Sequence, residues 1–247
     1  MKIKVAACQI NCIDGDKEGN FERIEKALQQ LKNVNIACFP ECSLLGWINP
    51  KAHLIATTIP GADTDRLIQL AKKYQIMISI GLSEKDGDNL YDSALLIDNN
   101  GEILLKHRKI NLLSALMDPP YTKGDKVSVI TTRFGRIGML ICADTFKNNI
   151  IRQMREKNPD ILIIPYGWAE KQEKWPEHGK LLEQLVKDLA KKVNAIVIGT
   201  DLVGVISSGP WKGRIYGGQS VIVDNKGNVL ALGKDRESDI LIREIVL

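Results

Sequence analysis

Gly138-Met139-Leu140-Ile141-Cys142-Ala143-Asp144 carries a short apolar run onto a thiol and then turns polar at once. The run extends back to Arg136 and reads as a buried strand over 136–141, the second arm of a hairpin whose first arm is 127–132. Downstream, helical periodicity is predicted over 148–157 and 177–193, and apolar strands over 161–165 and 195–200. Strands and helices in alternation place strands in one sheet with helices against its face. A thiol that a buried strand delivers to an abrupt polar turn is placed to attack something.

The upstream half repeats this grammar. A strand is predicted over 3–10, and a helix over 17–32 with Phe21, Ile24, Leu28 and Leu31 at helical spacing. A short strand over 34–39 is stopped by Pro40, and a helix over 64–74 turns Leu67, Leu70 and Ala71 inward. A strand over 76–82 follows, then a hairpin of 90–97 and 102–107 across Asp98-Asn99-Asn100-Gly101. The chain closes with strands over 220–224, 229–232 and 239–246. The stretches 43–63, 111–126 and 201–218 are long, enriched in Gly, Pro and Trp, and are the expected functional loops. Within the last of them Gly213-Arg214-Ile215-Tyr216-Gly217-Gly218 reads as a tight loop packing against a sheet or site, since it does not open a helix. No linker or repeat interrupts the chain, so one α/β domain over 1–247 with mixed sheets is expected.

Composition narrows the class. The 247 residues are 44% hydrophobic and 26% charged, ordinary for a soluble globular protein. A dispersed net charge of +4 gives no argument for nucleic acid. Lys106-His107-Arg108-Lys109 is the densest basic cluster and reads as a solvated strand end. No run reaches the ~20 apolar residues that span a bilayer. Met1-Lys2-Ile3-Lys4-Val5 leads straight into a strand, and the expected location is cytoplasmic. Five cysteines, an odd number, do not suggest a disulfide framework. Cys8 and Cys12, and Cys38 and Cys42, repeat at i, i+4, but strand side chains four apart lie roughly 13 Å from each other. Small buried thiols are expected there, with no metal and no cofactor.

Three residues stand at the ends of apolar segments: Glu41 after Phe39-Pro40, Lys109 after His107-Arg108, and Cys142. Each alone has a plain alternative: a turn carboxylate, a solvent lysine, a core thiol. Together they are the parts that amide cleavage through a thioester requires. Cys142 would attack the carbonyl carbon, Glu41 would carry the proton from thiol to leaving amine, and Lys109 would offset the oxyanion, aided by the Ala143 N–H. A Cys–His scheme would have to draw on His53, His107 or His178, none with an evident orienting partner in sequence.

Those segments make the chain resemble the nitrilase superfamily of carbon–nitrogen hydrolases. Phe39-Pro40-Glu41, Arg108-Lys109-Ile110-Asn111-Leu112 and Gly138 to Asp144 match its glutamate, lysine and cysteine motifs in order. Leu90-Tyr91-Asp92-Ser93-Ala94, Tyr121-Thr122-Lys123-Gly124-Asp125 and Tyr216-Gly217-Gly218-Gln219-Ser220 extend the likeness over nearly the whole chain. The resemblance implies a four-layer α-β-β-α sandwich with two mixed sheets, a Glu41–Lys109–Cys142 triad at one end, and a homodimer or larger homo-oligomer. It also implies cofactor-free hydrolysis of a small amide, carbamoyl compound or nitrile. An amidase is the expectation, with a nitrilase or a non-catalytic binding protein of the same fold as alternatives. Asn111 stands where the family often has histidine, and Ala143 where a larger residue is frequent. The family's second glutamate is missing before Tyr121, where Asp118 is the nearby carboxylate and the candidate replacement. Tyr166 and Trp168, in a segment that the family passes beside the cysteine, and Trp47 are the expected pocket walls.

Overall fold

The computed structural model describes residues 1–247. The first half runs β1 (Lys2–Gln9), α1 (Lys17–Gln29), β2 (Ile36–Cys38), α2 (Ala52–Ile55), α3 (Ala62–Tyr74), β3 (Met77–Asp86), β4 (Asn89–Ile97) and β5 (Ile103–Arg108). The second runs β6 (Val129–Thr132), β7 (Gly135–Met139), α4 (Asn148–Glu156), β8 (Ile161–Pro165), β9 (Ala169–Glu170) and α5 (Glu177–Val193). It continues with β10 (Ile196–Thr200), β11 (Val203–Val205), β12 (Ile215–Gly217), β13 (Val221–Val223), β14 (Val229–Leu232) and β15 (Asp239–Val246).

Two six-stranded sheets result, ordered β15-β1-β2-β3-β4-β5 and β14-β13-β10-β8-β7-β6. Each has three central parallel strands, β1-β2-β3 and β7-β8-β10, flanked by antiparallel ones. The crossovers carry α1 and α3 in the first half, α4 and α5 in the second. Side-chain alternation assigns the layers. Val5 and Ala7 of β1 share a core with Ile137, Ile163 and Ile198, while Ala6 and Cys8 pack with Phe21, Ile24 and Leu28 of α1. The first sheet thus has the second sheet on one face and helices on the other. Leu182, Val186 and Leu189 of α5 join the core of the second sheet, giving the α-β-β-α order. Burial on both faces is why β8 is apolar at every position.

Local chemistry sets the element ends. The Asp16 side chain accepts from Gly19 N at 3.1 Å and caps α1, whose buried stripe is Phe21, Ile24, Ala27 and Leu28. α1 ends three residues before the predicted 32, ahead of Asn33 at φ +57°. β3 runs past the predicted 82 to Asp86, because buried Glu84 is satisfied by Ser93 Oγ and Lys106 Nζ at 2.6 Å and Arg108 Nε at 2.9 Å. Polarity concealed that extension. Part of the stretch read as loop over 201–218 is also sheet: β12 pairs with β11 on one side and β9 on the other in a small third sheet whose strands are two or three residues long. Such strands are too short to show a period. No helix is long and apolar enough to cross a membrane.

The consequence for function is where the chain emerges. Glu41 follows β2, Lys109 follows β5, Cys142 follows β7, Tyr166 follows β8 and Asp201 follows β10. Carboxyl ends of parallel strands are where open α/β sheets place ligands.

Candidate active site

Glu41 is brought in by a tight exit from β2. Phe39 N still bonds to Ser79 O at 2.7 Å, and Gly81 N to Pro40 O at 3.0 Å. A Cβ at Gly81 would lie 2.6 Å from Glu41 Cα, so only glycine lets β3 approach so closely. Cys42 turns the chain at φ +46°, and Ser43 Oγ donates to Pro40 O at 2.7 Å. Glu41 is completely buried, with its N–H donating to Tyr166 O at 3.3 Å.

Lys109 reaches it from the first sheet's edge. Its Nζ donates to Glu41 Oε1 and, at 3.1 Å, to Asp92 Oδ2. The ammonium also sits 5.2 Å from the centroid of Trp47. Its backbone is fixed by Lys109 N to Asp92 O and Gly124 N to Lys109 O, both 2.8 Å. Asp92 is fully buried, and its other oxygen accepts from the Cys42 thiol at 3.6 Å.

Cys142 opens a 3-10 turn, Cys142–Phe146, at φ +38°. A non-glycine residue in that region is strained and persists only when its surroundings hold it. Thr145 Oγ1 donates to Cys142 O at 2.7 Å, and Ile141 N to Asp144 Oδ2 at 3.0 Å. Asp144 also ties this turn to the lysine segment. It accepts from Ile110 N at 2.9 Å, Asn111 N at 2.8 Å and His107 Nε2 at 2.7 Å. Asn111 Nδ2 adds a bond to Ala143 O at 2.6 Å. The chain carrying the sulfur and the chain carrying the ammonium are therefore one hydrogen-bonded unit.

Burial dominates the electrostatics. It pushes Glu41 well above the ordinary carboxylate range, with Lys109 opposing and Asp92 adding to the rise. Burial alone would lower Lys109, but the Asp92 and Glu41 carboxylates outweigh it and hold the ammonium well above its usual value. The Cys142 thiol is raised well above its ordinary value by burial and by Glu41, with Lys109 and the Gly167 N–H pulling the other way. Such a thiol rests protonated at neutral pH and needs a base beside it. At Asp144 burial acts upward, yet the His107 bond and the backbone donors bring the carboxyl below its ordinary value.

The remaining predicted residues divide. Trp47 is buried against Lys109, and Tyr166 is buried with its ring 6.2 Å from Trp168, edge to face. Trp168 is half-buried and stacks on His178 at 4.9 Å; its backbone N–H donates to Asp201 Oδ1 at 2.7 Å and its indole N–H to His178 O at 2.9 Å. Ala143 is buried in the cysteine turn. Asp118 is not brought to the lysine: it is exposed, in the lining of an outer groove. The second carboxylate on Lys109 is Asp92, which the sequence motifs alone do not single out. A signal was available. The turn at Asp98 to Gly101 sets a register that pairs Ser93 with Arg108, which places Asp92 beside Lys109. Gly167 was missed as well; a Cβ there would come within 2.9 Å of Glu41 Oε2. A cavity of about 10 Å³ opens beside the ammonium, lined by Trp47, Asp92, Lys109, Leu112, Met117 and Tyr121 among others. It has room for roughly one water.

Comparison with known proteins agrees with this geometry. The carbon-nitrogen hydrolase family matches residues 4–247. A nitrilase of Pyrococcus abyssi is 26% identical over 253 aligned positions, covering 99% of this chain and 90% of its own. An omega-amidase of Xenopus tropicalis is 27% identical, covering 91% and 82%. A carbon-nitrogen hydrolase from Helicobacter pylori G27 superposes with a TM-score of 0.87 at 25% identity, covering 100% of this chain and 90% of its own.

Proposed function

The chain belongs to the carbon–nitrogen hydrolase family, and from that premise we propose that it is an amidase that cleaves a small amide or carbamoyl compound through a thioester on Cys142. The observation that carries this is the single buried ammonium of Lys109 shared by Glu41 and Asp92, locked through Asp144 to the cysteine turn.

Glu41 takes the thiol proton as sulfur attacks the carbonyl carbon. The raised carboxyl is suited to holding that proton and returning it to the departing nitrogen. Lys109 stays cationic throughout and, with the Ala143 N–H, stabilises the oxyanion of the tetrahedral intermediate. Collapse expels the amine or ammonia and leaves an acyl-thioester. Glu41 then deprotonates a water that attacks the thioester, and the acid and the free thiol are released. Asp92 balances the second face of Lys109. Tyr166, Trp168 and Trp47 shape the walls around the acyl group. The names of two relatives, an omega-amidase of Xenopus tropicalis and a deaminated glutathione amidase of Dictyostelium discoideum, support the amide reading, and that of the Pyrococcus abyssi nitrilase keeps a nitrile as the alternative.

Substituting Cys142 by Ala is expected to abolish release of ammonia from amides while leaving the circular dichroism and melting curve of the wild type. Intact-mass analysis of the wild type during turnover is expected to show an acyl adduct that the variant lacks. Undiminished hydrolysis by the variant, or turnover of nitriles and of no amide, would overturn the proposal.

A further inference from the structure

Beyond the cavity at Lys109 lies a roomier groove of about 490 Å³ lined by Pro50, Ser114, Leu116, Met117, Asp118 and Pro210 among others. Ser114, Met117 and Pro120 line both spaces, so the groove adjoins the inner cavity. The inner walls are apolar at Trp47, Ile48, Leu112, Leu113 and Met117, and their only charges are Lys109 and Asp92. The groove's only ionisable side chain is Asp118, which no cation of the protein pairs. The arginine of the neighbouring loop is engaged elsewhere: Arg214 pairs with Glu170 at 2.9 Å and lies over Trp211, which packs edge-on against Trp47. The floor holds two carboxylates, Glu41 and Asp92, for the one ammonium.

We infer, on the amidase reading above, that this groove selects amides whose acyl chain carries no carboxylate, and that Asp118 favours a chain ending in an ammonium group. A carboxylate on the acyl chain would give up its hydration to walls that offer no cation beyond Lys109, which Glu41 and Asp92 already engage. An uncharged chain meets largely apolar inner walls and gives up no charge. A cationic end carried through the inner cavity into the groove meets Asp118 at the solvent rim. Asp118 is thus a specificity residue at the far end of the substrate, not a partner of Lys109.

The test is kcat/KM for three primary amides on one scaffold: pentanamide, 5-aminopentanamide and 4-carbamoylbutanoate. The carboxylate-ended amide is expected at least about tenfold below pentanamide, since unmatched charge is strongly disfavoured. The ammonium-ended amide is expected about two- to fivefold above it, the scale of an exposed ion pair. In Asp118→Lys the ratio of ammonium-ended to neutral amide is expected to fall and that of carboxylate-ended to neutral to rise. Ratios within one variant do not depend on how much of it folds. Turnover of the carboxylate-ended amide as fast as pentanamide overturns the inference and leaves the amidase reading standing. Ratios unmoved in Asp118→Lys overturn the role of Asp118. Turnover of none of the three overturns the amidase reading and the inference with it.

Discussion

The floor of the site and its walls are held by different means. Every floor residue sits within a few residues of a strand end: Glu41 after β2, Lys109 after β5, Cys142 after β7, and Asp92 inside β4. Sheet ladders and the Asp144 carboxylate fix their spacing. Apart from Tyr166 and Trp168, which follow β8, the walls come from the long loops and are held mostly by one another. Trp47 packs on Trp211 at 5.6 Å, His53 Nε2 meets Pro119 O at 2.8 Å, and Asp14 holds Ser207. This difference separates reaction from substrate. A change in the floor is expected to fall on chemistry for every substrate, and a change in the walls on which substrate is taken.

The strongest way to break that division is to remove the ammonium. Lys109→Met leaves two buried carboxylates without their cation, and breaking a buried ion pair costs about 3–5 kcal/mol. Loss of oxyanion stabilisation is expected to lower kcat by about 100- to 1,000-fold. Equal losses for all amides, measured as kcat on a folded variant, support the floor as one unit. A loss confined to one substrate would not.

Asp144 is the next test, because it joins two floor segments without standing at the reacting atoms. Asp144→Ala leaves four donors without their acceptor, from Ile110, Asn111, Ile141 and His107, and the two fully buried ones, Ile141 and His107, each cost about 1–3 kcal/mol. A melting temperature lower by about 6 °C or more is expected, at about 2–4 °C per kcal/mol for a domain of this size. The carboxyl is held below its ordinary value in the folded protein. Its stabilisation is therefore complete above the ordinary range near pH 4 and disappears as the pH falls through the lowered folded value. Wild-type stability followed by denaturant titration should show that acid loss, and Asp144→Asn should flatten it. An unchanged acid limb would mean that the buckle between sulfur and ammonium does not titrate.

Asp92 sharpens the comparison from inside the floor. Asp92→Asn keeps the shape but removes one of two charges on Lys109, and a bond to a charged group is worth about 1.5–3 kcal/mol. A kcat lower by about tenfold is expected, at 1.36 kcal/mol per factor of ten. Asp92 also raises Glu41, so its loss should move the acid limb of the kcat/KM profile to lower pH. A fall in rate with no displacement of that limb would make Asp92 a mere packing element.

The same division governs what could be read from residues alone. The parallel cores were legible, since continuous apolar runs such as 161–165 and helical stripes such as Phe21, Ile24 and Leu28 carry their own period. So were the segments bearing Glu41, Lys109 and Cys142, each at the end of such a run, and the structure brings the glutamate and the lysine into contact. Asp92 was not read, because a carboxylate inside a strand gains meaning only once the register beside Lys109 is known. Asp118 stands in sequence as the candidate replacement for the family's second glutamate, because it is the carboxylate nearest before Tyr121, whereas loop geometry leaves it exposed. The small sheet of β9, β11 and β12 escaped for want of length, and with it the anchoring of the 201–218 loop.

That anchoring supplies the mildest and most discriminating prediction. Asp14 Oδ2 accepts from both Ser207 N and Ser207 Oγ at 2.7 Å, and its other oxygen packs so closely on Gly46 that a Cβ there would lie 2.0 Å away. One carboxylate thus joins the loop that carries Trp47 to the loop that carries Gly209, Pro210 and Trp211. Burial raises Asp14, with the Ser207 bonds opposing, which marks it as a group kept in place at some cost. Asp14→Ala frees the wall without touching any floor residue. The tether amounts to two hydrogen bonds of about 0.5–1.5 kcal/mol each, so KM is expected to rise about three- to tenfold. kcat should stay within about twofold, since uniform binding is what a loosened wall gives up. If kcat falls together with KM, the walls hold the floor in its working geometry, and the separation between reaction and substrate does not apply to this protein.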